Sequence, residues 1–122
     1  MLTVMVASFV LVQAGAPSWN LVEDTERGRF SYDASSLRVD QNRVTVLAQY
    51  ENMTMPGGVT RSDMEMIIDC TSRTYAFVRG RAYNAAGAVL HSREVPAANV
   101  TNVPIAPNST EDRLRARVCP AA

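Results

Sequence analysis

Arg43-Val44-Thr45-Val46-Leu47-Ala48-Gln49-Tyr50-Glu51 is the stretch on which the fold is decided. Val44, Val46, Ala48 and Tyr50 fall on one side, and Arg43, Thr45, Gln49 and Glu51 on the other. That is the two-residue period of a strand with one buried face. A second run repeats it: Ser62-Asp63-Met64-Glu65-Met66-Ile67-Ile68-Asp69-Cys70. Its inward set is Met64, Met66, Ile68 and Cys70, with Asp63, Glu65 and Asp69 facing out. The phase therefore places the Cys70 sulfur on the buried face. Pro56-Gly57-Gly58 breaks the chain between the two runs.

Towards the N-terminus, Ser18–Val22 reads as a short strand with Trp19 as its largest apolar group. Arg27-Gly28 is a turn signal, and Arg29–Asp33 alternates with Phe30 and Tyr32 on one face. Asp33-Ala34-Ser35-Ser36 suits a capped turn, and Asp40-Gln41-Asn42 suits another. Towards the C-terminus, Thr74–Tyr83 is β-prone and joins through Asn84-Ala85-Ala86-Gly87 to Ala88–Val95. An even-length turn there puts Tyr83 opposite Ala88 and Arg81 opposite Leu90. Neither face of this hairpin is cleanly apolar, so the pattern does not say which one is buried. Pro96, Pro104 and Pro107 make the next stretch an irregular connection.

The period then changes. Ser109-Thr110-Glu111-Asp112 has the form of a capping box, and Leu114 and Val118 lie four apart on one helical face. Glu111 and Arg115 are spaced to pair across a turn. So short a helix is marginal alone and must be held by docking. The expected fold is α+β: an antiparallel sheet of about five to six strands with one short C-terminal helix packed on it.

The 122 residues leave room for one domain. Met1–Ala16 carries no charge, and its apolar residues from Leu2 to Val12 match the length of a signal h-region. Ala14-Gly15-Ala16 supplies the small residues a signal peptidase reads, with Pro17 directly after. Residues 1–16 are therefore expected to be a cleaved leader and 17–122 a single exported domain, periplasmic or secreted. Where a lipoprotein would carry its acylated cysteine, this chain has Ala16. Acidic and basic residues balance at 12 each, which gives no electrostatic reason to expect nucleic acid as a partner. No transmembrane segment is expected in the mature chain.

Cys70 and Cys119 are the only cysteines, an even count in a compartment that permits disulfides, and they allow one intramolecular pairing. A catalytic thiol is the rival reading, but Cys70 has no neighbouring histidine in sequence and His91 is the only one in the chain. Two Cys and one His without short spacing fall short of four zinc ligands. No catalytic, cofactor or metal residue is assigned.

Other constellations carry an ordinary reading beside a functional one. Asp63, Glu65 and Asp69 form an acidic row that would suit calcium, or a solvated strand face. Arg79 and Arg81 with Phe77 and Tyr83 would suit an anionic or aromatic ligand, or ordinary cross-strand pairing. His91 would suit haem; Met55, Met64 and Met66 read as core filling and a loop residue rather than a copper site.

The order of Trp19, Tyr32-Asp33, Ser36, Ser62, Asp69-Cys70, Tyr83, Gly87, Pro107-x-Ser109 and Val118-Cys119 resembles the surface-adhesin protein E-like family, small exported proteins of Gram-negative bacteria. The resemblance spans nearly the whole chain after residue 16. Its most specific pieces are Ile68-Asp69-Cys70 ending a strand and Pro107-x-Ser109 followed by a short helix ending in Cys119. Where family members often have a tryptophan before the Pro-x-Ser, this chain has Val100-Thr101-Asn102-Val103. The resemblance implies an antiparallel sheet with a packed C-terminal helix. It also implies a non-enzymatic binding module of the envelope, with protein partners there or on a host surface. The alternative is a periplasmic carrier of a small hydrophobic ligand such as haem, using the Phe77–Tyr83 strand and His91.

Overall fold

The computed structural model describes residues 16–120. The leader expected over 1–16 therefore lies, apart from Ala16, outside the described residues, as do the last two residues of the domain expected over 17–122. The chain runs β1 (Trp19–Thr25), β2 (Gly28–Asp40), β3 (Arg43–Glu51), β4 (Arg61–Asp69), β5 (Thr74–Tyr83), β6 (Val89–Glu94), β7 (Val103–Pro104) and the helix α1 (Thr110–Val118). The strands β1 to β6 pair in chain order as an antiparallel meander, and β7 adds to β5 alongside β6. The seventh strand exceeds the expected five to six. It is a two-residue bridge to Thr74 and Tyr75 inside the proline-rich connection.

β3 sits mid-sheet, and its register aligns the inward rows of its neighbours. Phe30 faces Tyr50, Tyr32 faces Ala48 and Val44 faces Ile68, with Val46 opposite Met66. Phe30, Tyr32, Val44, Val46, Ala48, Met66 and Ile68 are all buried, as their alternation predicts. Helix α1 closes this core from the inner side with Leu114 and Val118. Cys119 caps the helix and bonds to Cys70 just beyond β4, as the cysteine count and the phase of β4 predict.

Three local readings need correction. The Asp33–Ser36 segment is not a turn between strands, because β2 runs through it as a bulge between Asp33 and Arg38. The side chains that would cap a turn serve the bulge instead. Asp33 Oδ1 accepts from the Ser18 amide at 2.7 Å, the Ser35 amide at 2.9 Å and the Ser35 hydroxyl at 2.6 Å. Ser36 Oγ donates to the Asp33 carbonyl at 2.7 Å and accepts from the Leu47 amide at 2.9 Å. It thereby replaces a backbone partner that the bulge removes from the ladder.

The β5–β6 hairpin is also offset. Tyr83 faces Val89, not Ala88, and Arg81 faces Ser92, not Leu90. Asn84 Oδ1 accepts from the amides of Ala86 and Ala88, which lengthens the turn, and a bulge between Ala82 and Tyr83 absorbs the difference. At the helix, Ser109 Oγ accepts from the Asp112 amide as a capping box requires. Asp112, however, returns its bond to the Asn108 amide at 2.9 Å. Arg115 pairs with Asp112 at 2.9 Å rather than with Glu111, because the Asp112 carboxylate is already fixed at the helix start.

Asp33 gives the fold an acid limit. Burial pushes its carboxyl up, but the bonds from Ser18 and Ser35 outweigh this and leave it below its ordinary value of 3.8. Asp69, held by the Ser72 amide, and Asp112, held by the Asn108 amide, are lowered too. A carboxylate with a depressed folded pKa contributes stability that is present above its unfolded pKa and lost as pH falls through the folded one. Urea midpoints are expected to hold level down to about pH 5 and to drop below about pH 4, with a shallower drop in Asp33→Asn. An identical slope in that variant would remove Asp33 from the account.

Candidate functional site

The helix covers only part of the inner face. It lies against β1 and β2, where Arg113 Nη1 reaches Glu23 Oε2 at 2.7 Å, Thr110 Oγ1 donates to Glu23 Oε1, and Arg117 Nη1 donates to the Leu21 carbonyl. Glu23 escaped the sequence reading, since nothing local shows that a β1 carboxylate meets a helix ninety residues away. Beyond the buried Met66 and Ile68, the inner face around Met64 on β4, Phe77 on β5 and Arg93 on β6 is left open.

A bulge shapes this open half. Glu65 pairs with Arg79, yet Met66 pairs with Phe77, so Val78 is the extra residue. One inserted residue reverses which side the chain presents. Phe77 therefore lies on the inner face, edge-on to Tyr75 with ring centroids 5.4 Å apart. Arg79, Arg81 and Tyr83 lie on the outer face. The four residues that the sequence places in one alternating row are thus split between two faces.

The chain leaves β6 at Val95 and crosses to β7 through residues 96–102, walling a groove of about 410 Å³ against the sheet. Met64, Gly80 and Phe77 line it from the sheet, Arg93 and Val95 from β6 and its exit, Asn99 and Thr101 from the crossing segment, and Val103 from β7. Phe77 is 42% exposed and Val103 40%. Gly80 keeps the trough open, since a Cβ there would stand 3.3 Å from the Asp63 carbonyl and 3.9 Å from Met64 Cγ. No carboxylate lines the groove. Beside it, β6 ends the main strand path with all six of its residues exposed, among them Val89 and Leu90.

The remaining candidates resolve as ordinary structure. Asp63 accepts from Gln49 Nε2 at 2.9 Å and lies 3.6 Å from Arg61. Glu65 is flanked by Arg79 at 3.2 Å and Arg38 at 3.8 Å. Asp69 Oδ1 accepts from Asn42 and from the amides of Thr71 and Ser72. The acidic row is therefore a charge-paired outer face ending in a turn, and among the described residues no cluster of His, Cys, Asp and Glu is placed to hold a metal. Tyr83 lies under Arg61, whose guanidinium carbon is 3.9 Å from the ring centroid. His91 is exposed on β6 and does not line the groove. Met66 is buried, Met64 is half-buried against the core and also borders the groove, and Met55 sits in the exposed β3–β4 loop, as the pattern predicts.

The sequence profile of the surface-adhesin protein E family matches residues 19–120, nearly the whole described chain. The chain belongs to the surface-adhesin protein E family. No curated protein sequence matches it. Among solved structures, the selenomethionine form of Haemophilus influenzae protein E is similar at a TM-score of 0.56 and 16% identity, over 85% of this chain and 92% of that one. Crystal form II of the same Haemophilus influenzae protein is similar at a TM-score of 0.56 and 15% identity, over 85% and 93%. At such identity the likeness establishes the surface-adhesin protein E fold and carries over no individual binding residue. No helix among the described residues is long and apolar enough to cross a membrane.

Proposed function

We propose that this member of the surface-adhesin protein E family is an exported, non-enzymatic binding module of the bacterial envelope that takes a protein partner on the β6 edge. The observation that carries the proposal is the pairing-competent edge. β6 has no strand on its outer side among the described residues, is exposed throughout, and opens with apolar Val89 and Leu90, its charges being confined to Arg93 and Glu94 at the other end. Edges left in that state recruit extended segments of other chains, with main-chain hydrogen bonds giving affinity and side-chain pockets giving selectivity.

The experiment is cross-linking in intact cells, followed by recovery from envelope and medium fractions and intact-mass measurement. A native chain beginning at Pro17 is the expected product of export. A Val89→Lys/Leu90→Lys pair blunts the edge without touching the buried core, and the cross-linked partner is expected to disappear from that variant. Retention of the partner at wild-type yield would place the binding surface elsewhere.

A second reading is favoured by the groove itself. Its volume and apolar lining suit a carrier of a small hydrophobic ligand. In the haem version of this reading, native protein would show a bound chromophore or acquire one on titration. Spectra without either would remove it.

A further inference from the structure

We infer that the groove between Phe77, Gly80 and the crossing segment binds an amphiphile with an unbranched acyl chain and a terminal carboxylate, which Arg93 recognises. The inference rests on the carrier reading and adds the chemistry of the ligand. The lining divides by character. Met64, Phe77, Val95 and Val103 form an apolar trough with Gly80 as its bare floor, Asn99 and Thr101 add polar groups, and of the two arginines at its border Arg93 faces inward while Arg79 lies on the outer row. A purely apolar ligand would leave the Arg93 guanidinium unused, and an ammonium amphiphile would be repelled by it.

The two arginines differ in availability. Arg79 is engaged by Glu65 at 3.2 Å and Glu94 at 3.9 Å. Arg93 makes no ion pair with any described residue, although it lies on the strand that carries Glu94. Cross-strand register explains this. Arg93 faces Gly80 on the inner side, and Arg79 faces Glu94 on the outer side, so the alternation of β5 and β6 separates Arg93 from Glu65 and Glu94. A guanidinium beside an apolar trough that lacks any carboxylate is complementary to one anionic headgroup on an apolar tail. The trough suits a flexible chain better than a protein surface, because it is concave and walled by the crossing segment.

The test is calorimetric titration of the mature domain with decanoate, decan-1-ol and decylammonium, each below its aggregation threshold. Decanoate is expected to bind about tenfold or more tightly than decylammonium, as one charge-assisted hydrogen bond at a partly open site allows. Arg93→Gln is expected to abolish that preference while leaving decan-1-ol binding unchanged, and Phe77→Ser to weaken all binding. Both positions are exposed, so the variants keep the fold, which a circular dichroism spectrum checks. Equal affinity for decanoate and decylammonium, or decanoate preference surviving in Arg93→Gln, would overturn the carboxylate assignment while leaving a groove that carries ligands. Binding of none of the three would overturn the carrier reading with it.

Discussion

Replacing Cys70 and Cys119 together by alanine is expected to lower the unfolding free energy by about 4 kcal/mol. The bond closes a loop with a sequence separation of 49, and releasing it returns that loop's configurational freedom to the unfolded chain. For a domain whose net stability lies in the range of about 5–15 kcal/mol, the loss would be a large share of the whole. The two ends are firmly placed in the folded state. The Cys70 amide donates to the Asn42 carbonyl at 2.8 Å, and the Cys119 amide to the Arg115 carbonyl at 2.9 Å. Guanidinium titrations of the oxidised protein and the double variant would measure the effect. The midpoint should fall and the slope should rise, because the unfolded chain exposes more surface without the crosslink. A loss below about 1 kcal/mol would show that packing alone holds the helix.

Leu114→Ala is expected to cost about 3 kcal/mol, within the range for emptying a buried leucine site. Leu114 is 0% exposed, and with Val118 it is all that the helix contributes to the core. The nine residues of α1 are otherwise polar or small and too few to hold a helix in water. Undocking and unwinding are therefore one event. Hydrogen exchange of the 110–118 amides should accelerate far more than that of β3, whereas Leu114→Met, which keeps the volume, should cost less than about 1.5 kcal/mol. Equal acceleration in both elements would mean that the helix and sheet unfold as one unit. Because Leu114 and Cys119 serve the same docking, combining their variants should cost less than the sum.

Both predictions concern parts of the molecule that the sequence states openly. The alternations in 43–51 and 62–70 are long, clean and unbroken by an inserted residue, so parity alone assigns their inward rows and the side of Cys70. The shift from period two to period four at Ser109 marks the helix, since a capping serine and two apolar residues four apart have few other uses. The proposed binding surface was less legible. Phe77, Arg79, Arg81 and Tyr83 form one row on paper, and Arg93 gives no sign that it faces a bare glycine rather than an acid.

The antiparallel strands, the buried faces of β3 and β4, the terminal helix, the cysteine pair that ties them, and membership of a recognisable family can all be read from the residues in order. Where parity breaks is visible in the folded chain alone. Register shifts near Val22, after Asp33, at Val78 and before Tyr83 each reset which side a strand presents. The physical reason is one of range. Alternation is a property of neighbouring residues along one strand, whereas a bulge sits where curvature and the partner strand's register demand an extra residue. The same limit hides the Glu23–Arg113 contact that seats the helix over one half of the sheet and leaves the groove open on the other.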